Sequence, residues 1–258
     1  MLSDSERGDF EAKGFFLRKG FASAKSRKAM LEDVVALCRA AGGAGIEDGA
    51  LVMPENNLAG RKTENPEERV SKVFRLHRRP AFRGFIEDPR ILELVTDLFG
   101  GRVDCFLSQF IFKNPGAWGQ PWHQDSFYFP FDQSPQVGLW LAISEATLEN
   151  GCLWVLPGSH REPIHEHVPD RRPGANLGYV EIVDHDMAQA TPVLIEPGDL
   201  LVFHSHLMHR SSDNESSGLR AAMVFHCARS GTGLRTPVDV PVNDWMPLPP
   251  APGDGAAS

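Results

Sequence analysis

The sequence lacks an excess of positive charge. Its 26 lysines and arginines are outnumbered by 34 aspartates and glutamates, which gives a formal net charge of −8. A general nucleic-acid-binding protein is usually basic, so this balance argues against a nucleic acid as the partner. The hydrophobic content of 41% and the charged content of 23% are typical of an ordinary globular domain.

The sequence also lacks paired cysteine motifs and long apolar runs. Its four cysteines include no C-x-x-C pair, so neither a zinc ribbon nor a thioredoxin-like site is indicated. We interpret them as reduced thiols of an intracellular protein. No stretch approaches the roughly 18 apolar residues of a membrane helix, and the opening MLSDSERGDFEAKG has no apolar core of signal-peptide length. We therefore expect a cytoplasmic protein that makes no membrane contact.

The residue patterns divide the chain into three parts. We expect a single domain over residues 1–258, with a helical and mixed part at 1–102, a β core at 103–231 and a Pro/Gly-rich tail at 232–258. In the first part, a 3.6-residue apolar period around Met30–Leu37 predicts one helix. DPRILELVTDLFGG predicts a second, with Asp88 as the N-cap and Gly100 as the stop. The polar, turn-rich residues 50–72 predict a surface loop.

Short β-prone runs separated by turn signals follow from residue 103. Examples are VDCFLSQFIFK, VGLWLAIS and LLVFHS, and such spacing is typical of a β-sandwich or barrel. The long polar segment 161–190 interrupts these runs and predicts a lid. His165 and His167 lie within it, but no third metal ligand follows at a suitable spacing, so we interpret this pair as part of a solvated loop.

One candidate metal site is the H-x-D triplet of His123, Gln124 and Asp125. Iron(II) that activates oxygen is commonly held by two histidines and one carboxylate on one face, which leaves coordination positions open. In an extended segment, His123 and Asp125 would point to the same side. The aromatic run that follows, from Phe127 to Phe131, is a candidate for the mouth of a substrate pocket.

A second group of candidates lies in EPGDLLVFHSHLMHRSS. His204, His206 and His209 could each supply the second imidazole. Arg220 follows in a β-prone run, eleven residues after His209. A buried arginine near a metal suits a dicarboxylate co-substrate, because its guanidinium can bind a carboxylate through two parallel hydrogen bonds.

Three segments in this order resemble the phytanoyl-CoA dioxygenase family. They are HQDSFYFPF, VGLWLAISEATLENGCLWVLPGSHRE and PGDLLVFH…MHRSS…LR. The resemblance extends from about Phe10 to Ala228, and ATLENGCLWVLPGSH is especially similar to animal phytanoyl-CoA dioxygenase domain-containing proteins. It implies a mainly β fold: a double-stranded β-helix (jelly-roll, cupin-like) core with flanking N-terminal α-helices. It also implies an enzyme that uses Fe(II), 2-oxoglutarate and O2 to hydroxylate an unactivated C–H bond of a small organic substrate.

The same resemblance implies a role for particular residues. His123, Asp125 and His209 would bind iron, and His209 is preferred because family members carry an arginine eleven residues after the distal histidine. Arg220 would bind the distal carboxylate of 2-oxoglutarate. The further candidate co-substrate contacts are Ser211, Trp140, Lys72, Gln109 and Gln124, of which Gln109 departs from the methionine common in the family. Two alternatives remain: a catalytically silent protein that binds metal and 2-oxoglutarate, and a cupin-like metal-dependent hydrolase or isomerase.

Overall fold

The fold is built from antiparallel sheets and a layer of helices. The computed structural model of the chain describes residues 1–176, 178–234 and 243–252. Within them, the helices are α1 (Asp4–Lys13), α2 (Ala24–Ala40), α3 (Pro80–Ile86) and α4 (Pro89–Phe99). The strands are β1 (Phe15–Arg18), β2 (Gly45–Glu47), β3 (Ala50–Pro54), β4 (Val70–Phe74), β5 (Val103–Lys113), β6 (Val137–Ala142), β7 (Leu153–Val155), β8 (His167–Pro169), β9 (Val180–Ile182), β10 (Thr191–Val193), β11 (Leu200–His204), β12 (His209–Ser211), β13 (Arg220–Arg229) and β14 (Met246–Pro247).

A large sheet and a small sheet pack face to face. The large sheet has the strand order β1-β11-β6-β13-β5-β4-β3-β2, with β14 added beside β5. The small sheet has the order β10-β7-β12, and β8 and β9 form a separate hairpin. Two antiparallel sheets that enclose a core in this way are the jelly-roll arrangement. The predicted mainly β fold is therefore confirmed.

Alternation along the central strands places one core on each face of the large sheet. In β6, Leu139 and Leu141 pack with residues of α2, α3 and α4, whereas Trp140 and Ala142 pack with residues of the small sheet. Every residue of β6 is buried, as expected for a strand covered on both faces. Burial of each large apolar side chain contributes about 1.5–3 kcal/mol, and it fixes which side chains face the space between the sheets.

The two predicted helices are present as α2 and α4. Asp88 caps α4 by accepting a hydrogen bond from the Arg90 backbone N–H, and Gly100 ends it with a left-handed backbone conformation. In α2 the buried residues Met30, Val34, Leu37 and Cys38 follow the predicted period. Both helices therefore present one apolar stripe to the large sheet.

The prediction of a surface loop at residues 50–72 is wrong. This segment contains β3 and the start of β4, which pair with each other, and β4 also pairs with β5. Ala50 and Val52 alternate with less buried neighbours, a pattern that the surrounding polar residues concealed. Together with β1 and β2, these strands place much of the predicted helical and mixed part within the large sheet.

Part of the predicted tail is packed against the core. Met246 pairs with Cys105 through β14 and β5, and Met246, Leu248 and Ala251 are buried. The rest of the predicted tail, at 235–242 and 253–258, lies outside the described residues. None of the helices described here is long and apolar enough to cross a membrane.

Candidate active site

The H-x-D segment lies between the two sheets and pairs with β12. The backbone N–H of His123 donates to the carbonyl of His209, and the His209 N–H donates back, both at 3.0 Å. Asp125 then begins a short 3-10 helix, so the segment is a bridge followed by a turn. Gly119 permits this approach, because a Cβ there would lie 1.9 Å from the Ser211 carbonyl oxygen.

His123, Asp125 and His209 form a buried cluster. Oδ1 of Asp125 lies 3.5 Å from Nε2 of His123 and 3.7 Å from Nε2 of His209. The two imidazole rings have centroids 4.2 Å apart, and one ligand atom from each residue lies within 4.8 Å of the others. Two imidazoles and one carboxylate at this spacing are the set that non-haem iron(II) oxygenases use.

The hydrogen bonds of the two rings indicate that this cluster suits a cation. Nδ1 of His123 lies 2.8 Å from the Pro121 carbonyl oxygen, and Nδ1 of His209 lies 2.9 Å from that of Leu207. A carbonyl only accepts, so each Nδ1 is a donor and each Nε2 faces the Asp125 carboxylate. Three electron-rich groups converge there, and backbone carbonyls hold the imidazoles as they commonly hold metal-binding histidines.

The charges in this cluster are strongly coupled. Burial alone raises the pKa of Asp125, but the neighbouring imidazoles of His209, His123 and His226 outweigh it and hold that pKa well below its usual range. Burial, reinforced by His123, lowers the pKa of His209 to about 4. The carboxylate is therefore ionised and the His209 imidazole neutral near neutral pH, which is the state in which both bind a metal.

His204 and His206 do not join this cluster. The ring of His204 lies 6.1 Å from Phe10 and 5.4 Å from His160, and its Nδ1 accepts from the His206 backbone N–H. The two histidines therefore lie towards α1, outside the residues that line the cavity. Of the three candidates for the second imidazole, the structure brings only His209 beside His123 and Asp125.

Arg220 begins β13 and points into the same space between the sheets. Its side chain is 1% exposed, and its Nη2 donates to the Gly151 carbonyl at 3.0 Å. Nε and Nη1 have no hydrogen-bond partner, and no ion pair within the described part of the chain includes this guanidinium. Burial lowers its pKa to about 10, so it remains charged near neutral pH. A buried charge without a partner is costly, so the site is suited to an anionic ligand.

Lys113 adds a second basic side chain that the sequence analysis missed. It lies directly opposite Arg220 in the pairing of β5 with β13, and its Nζ donates to Ser211 Oγ at 2.7 Å. Burial, followed by repulsion from Arg220, lowers the pKa of Lys113 well below its usual range. Lys113 and Arg220 are far apart in sequence, so the sequence does not reveal that they pair. The local signal for Lys113 was a lysine at the end of the apolar run VDCFLSQFIFK.

A cavity of about 490 Å³ connects the His–Asp–His cluster with the basic side chains of Arg220 and Lys113. Trp140 lines it beside Arg220, with its ring centroid 5.8 Å from the guanidinium carbon. Lys72 and Gln109 also line it: Lys72 Nζ donates to the Gln120 side chain at 3.0 Å, and Gln109 Nε2 lies 3.3 Å from His226 Nε2. Ser211 lines it too, so four of the five further co-substrate candidates lie in one cavity.

The aromatic run contributes to the cavity only in part. Tyr128 and Phe129 line it, together with Phe74 and Leu107 of the large sheet. Phe131 is buried against Phe106, at a ring-centroid distance of 4.8 Å. Phe127 is partly exposed and stacks on His167 of the lid at 4.3 Å. The run therefore divides between the cavity wall, the core and the lid.

Gln124 lies outside the cavity, so the structure does not place it at a co-substrate. Its side chain is fully buried, and its Nε2 donates to the Pro163 and His206 carbonyls at 3.1 and 3.0 Å. Its Oε1 accepts from the His165 N–H at 2.9 Å. All three bonds hold the H-x-D segment to neighbouring backbone, two of them to the lid segment.

We expect Gln124→Ala to lower the free energy of unfolding by about 2–4 kcal/mol, because it leaves several buried backbone groups without partners, each costing about 1–3 kcal/mol. Urea unfolding measures this change. Gln133→Ala is the control, since its side chain makes one long bond of 3.4 Å to the Gly231 carbonyl and should change stability by less than about 0.5 kcal/mol. Equal effects of the two substitutions would contradict the role given to Gln124.

Comparison with known proteins gives one consistent family. The family model described as Phytanoyl-CoA dioxygenase (PhyH) matches residues 10–222. The chain is similar to the peroxisomal phytanoyl-CoA dioxygenase of Bos taurus, with 31% identity over 88% of this chain and 69% of the relative. It is also similar to phytanoyl-CoA dioxygenase domain-containing protein 1 of Rattus norvegicus, with 32% identity over 72% of this chain and 66% of the relative.

A solved structure shares the fold over nearly the whole chain. It is EctD from S. alaskensis with 2-oxoglutarate and 5-hydroxyectoine, which has a TM-score of 0.69 and 19% identity and covers 97% of this chain and 86% of EctD. At this identity the likeness concerns the fold, and it agrees with the jelly-roll arrangement of the two sheets.

Proposed function

This chain belongs to the phytanoyl-CoA dioxygenase family of Fe(II)- and 2-oxoglutarate-dependent oxygenases, and we propose that it hydroxylates an unactivated C–H bond of a small organic substrate. In this reaction 2-oxoglutarate loses CO2 and becomes succinate. One atom of O2 enters the succinate and the other enters the new hydroxyl group of the product. The observation that carries the proposal is the position of an unpaired buried guanidinium, Arg220, in the cavity that holds the His–Asp–His cluster.

His123, Asp125 and His209 would hold the iron, which together with 2-oxoglutarate supplies the activation of O2. Three protein ligands leave room for a chelating co-substrate and for O2. The convergence of two Nε2 lone pairs on the Asp125 carboxylate supports this assignment. The carboxylate also completes the ligand set, whereas related halogenases lack it so that halide can bind, and this favours hydroxylation.

Arg220 would bind the distal carboxylate of 2-oxoglutarate, since Nε and Nη1 of its buried guanidinium have no hydrogen-bond partner. Ser211 and Lys113 would surround the same carboxylate, since the lysine donates to the serine hydroxyl at 2.7 Å. Trp140 would pack against the co-substrate and exclude water from the buried charges. Lys72 and Gln109 line the same cavity and are further candidates for contact with the co-substrate.

The primary substrate would enter along the apolar wall formed by Phe74, Leu107, Tyr128 and Phe129. Asn176 and Tyr179 of the lid line the same space, so the lid would contribute to specificity. We take the chain as a single domain that acts in the cytoplasm, and its small-molecule substrate carries an apolar portion next to the oxidised carbon. A metal-dependent hydrolase or isomerase would have no use for the unpaired guanidinium, which favours the oxygenase.

An anaerobic titration tests the proposal. Fe(II) and then 2-oxoglutarate are added to metal-free protein, and we expect the visible charge-transfer absorption of a chelated keto acid to appear with one equivalent of each. Zn(II) in place of Fe(II) is the control and should give no band. Iron that binds without producing the band would contradict chelation of 2-oxoglutarate at this metal, and a band without later succinate release under O2 would favour the catalytically silent alternative.

A further inference from the structure

The base of the lid carries a second group of metal-ligand side chains. Nε2 of His165 lies 3.0 Å, and Nε2 of His185 lies 2.9 Å, from the same oxygen of Glu162, Oε2. One ligand atom from each residue lies within 4.8 Å of the others. His165 and His167, which the sequence suggests as a pair, instead diverge, and His167 Nε2 accepts from the Gln124 backbone N–H at 3.0 Å. The oxygenase chemistry proposed above uses none of Glu162, His165 and His185.

The lid hairpin brings these residues together. His167 of β8 pairs with Ile182 of β9, so the chain before β8 and the chain after β9 continue side by side at the base of the hairpin. Glu162 and His165 lie on the first of these segments, and His185 lies on the second. A ligand bound by all three would therefore connect the two ends of the lid.

The hydrogen bonds at this point leave Nε2 of His185 available to a cation. Nδ1 of His185 lies 2.9 Å from the Asp186 carbonyl oxygen, which only accepts, so Nδ1 is a donor. Its Nε2 faces the Glu162 carboxylate, and a metal ion there would bind both groups. His123 and His209 show the same arrangement, with Nδ1 on a carbonyl and Nε2 towards a shared carboxylate.

We propose that Glu162, His165 and His185 bind a divalent transition-metal ion of the zinc type. Zinc takes imidazole nitrogen at about 2.0–2.1 Å and carboxylate oxygen at about 2.0–2.2 Å, so tetrahedral ligands lie about 3.3 Å apart, and water can fill the fourth position. The distances from Glu162 Oε2 to the two imidazole nitrogens, 3.0 and 2.9 Å, are slightly shorter than this. The Glu162 side chain is 39% exposed and is free to move by that difference. Asp184 lies 3.5 Å from Nδ1 of His165, where a carboxylate orients a metal-binding imidazole.

The bound metal would hold the lid against the H-x-D segment. The His165 backbone N–H donates to Gln124 Oε1 at 2.9 Å, and Nδ1 of His167 lies 2.8 Å from the His165 carbonyl oxygen. The chain that carries the proposed ligand His165 thus contacts Gln124, which lies between His123 and Asp125. Metal at this site would order the base of the lid, while the iron ligands themselves stay unchanged.

Metal stoichiometry of the full chain tests this proposal. We expect wild-type protein to bind two Co(II) ions per chain and His209→Ala protein to bind one. The visible d–d absorption of Co(II) monitors the binding. Adding His185→Ala should remove one further ion in either background, and Glu162→Gln should do the same. Glu166→Gln is the matched control, because Glu166 is an exposed neighbour of His165 outside the cluster. If the number of ions is the same with and without His185→Ala, the proposal is overturned and the cluster is a charged histidine pair on Glu162.

Limited trypsin digestion supplies a readout that is independent of the oxygenase site. Arg171 is exposed in the lid, and its cleavage should slow when Zn(II) is added to the His209→Ala protein. At a zinc concentration 100 times the dissociation constant, the population of metal-free, open lid falls about 100-fold, so cleavage that requires opening should slow by a similar factor. His185→Ala in the same background should remove the zinc effect. Zinc protection that survives His185→Ala would place the metal elsewhere.

Discussion

His209→Ala is expected to reduce 2-oxoglutarate-dependent succinate formation to the background rate of a mixture without protein. The substitution removes one of two imidazoles that converge on Asp125, and an iron site with two protein ligands loses both affinity and its facial geometry. Fe(II) binding at the His–Asp–His cluster under anaerobic conditions, the charge-transfer absorption and succinate release should all be lost together. The fold should be retained, because β12 is joined to β7 and to the H-x-D segment through its backbone.

The matched control is His204→Ala. His204 belongs to the same histidine-rich segment and is strongly desolvated, since burial lowers its pKa to about 3, but it lies outside the residues that line the cavity. This control should retain one equivalent of bound iron and the charge-transfer band. If the His209 variant kept full activity while the His204 variant lost it, the distal ligand would be assigned to the wrong histidine. Circular dichroism of both proteins separates loss of iron from loss of fold.

The His–Asp–His set could be predicted from the sequence because its chemistry is concentrated in short motifs. The H-x-D triplet and the histidine followed eleven residues later by Arg220 each lie within one segment. The choice among His204, His206 and His209 came from the resemblance and not from the residues alone. The structure separates His209 from the other two by its backbone bridge with His123 and by its position beside Asp125.

Features that depend on pairing between distant strands could not be predicted. Lys113 lies opposite Arg220 because β5 and β13 pair in one particular register, and no local pattern specifies that register. Gln124 follows a histidine that lines the cavity, and its own extended backbone directs its side chain away from the cavity, to the lid. A motif gives the order of side chains along the chain, and the local backbone conformation decides which way each one points.

The same limit applies to the strands of residues 50–74 and to the base of the lid. A short strand at the side of a large sheet needs only a few buried residues, and Val70 and Val73 supply them in β4. Polar residues between β3 and β4 masked this alternation. In the lid, Glu162 and His185 lie far apart in sequence and meet only because β8 and β9 form a hairpin.

Arg220→Ala is expected to raise the 2-oxoglutarate concentration for half-maximal charge-transfer absorption by about 30- to 5,000-fold. Truncating one partner of a buried charge pair costs about 2–5 kcal/mol, and tenfold in affinity corresponds to about 1.4 kcal/mol. Fe(II) affinity should stay within a few-fold of wild type, because the guanidinium makes no contact with the proposed iron ligands. Arg220→Lys should restore little of the loss, since an ammonium cannot replace the two parallel hydrogen bonds of a guanidinium.

A comparison of two keto acids sharpens this test. Wild-type protein should prefer 2-oxoglutarate to 2-oxobutyrate, which lacks the distal carboxylate, and Arg220→Ala should remove most of that preference, because the pairing of Arg220 with the carboxylate is the main interaction that distinguishes the two ligands. Arg229→Ala is the matched control: it lies at the opposite end of β13, where its guanidinium donates to the Phe99 carbonyl, and it should leave the preference unchanged. If Arg220→Ala weakened both keto acids equally, the arginine would support the shape of the cavity and the distal carboxylate would be bound by another cation, with Lys113 the nearest candidate.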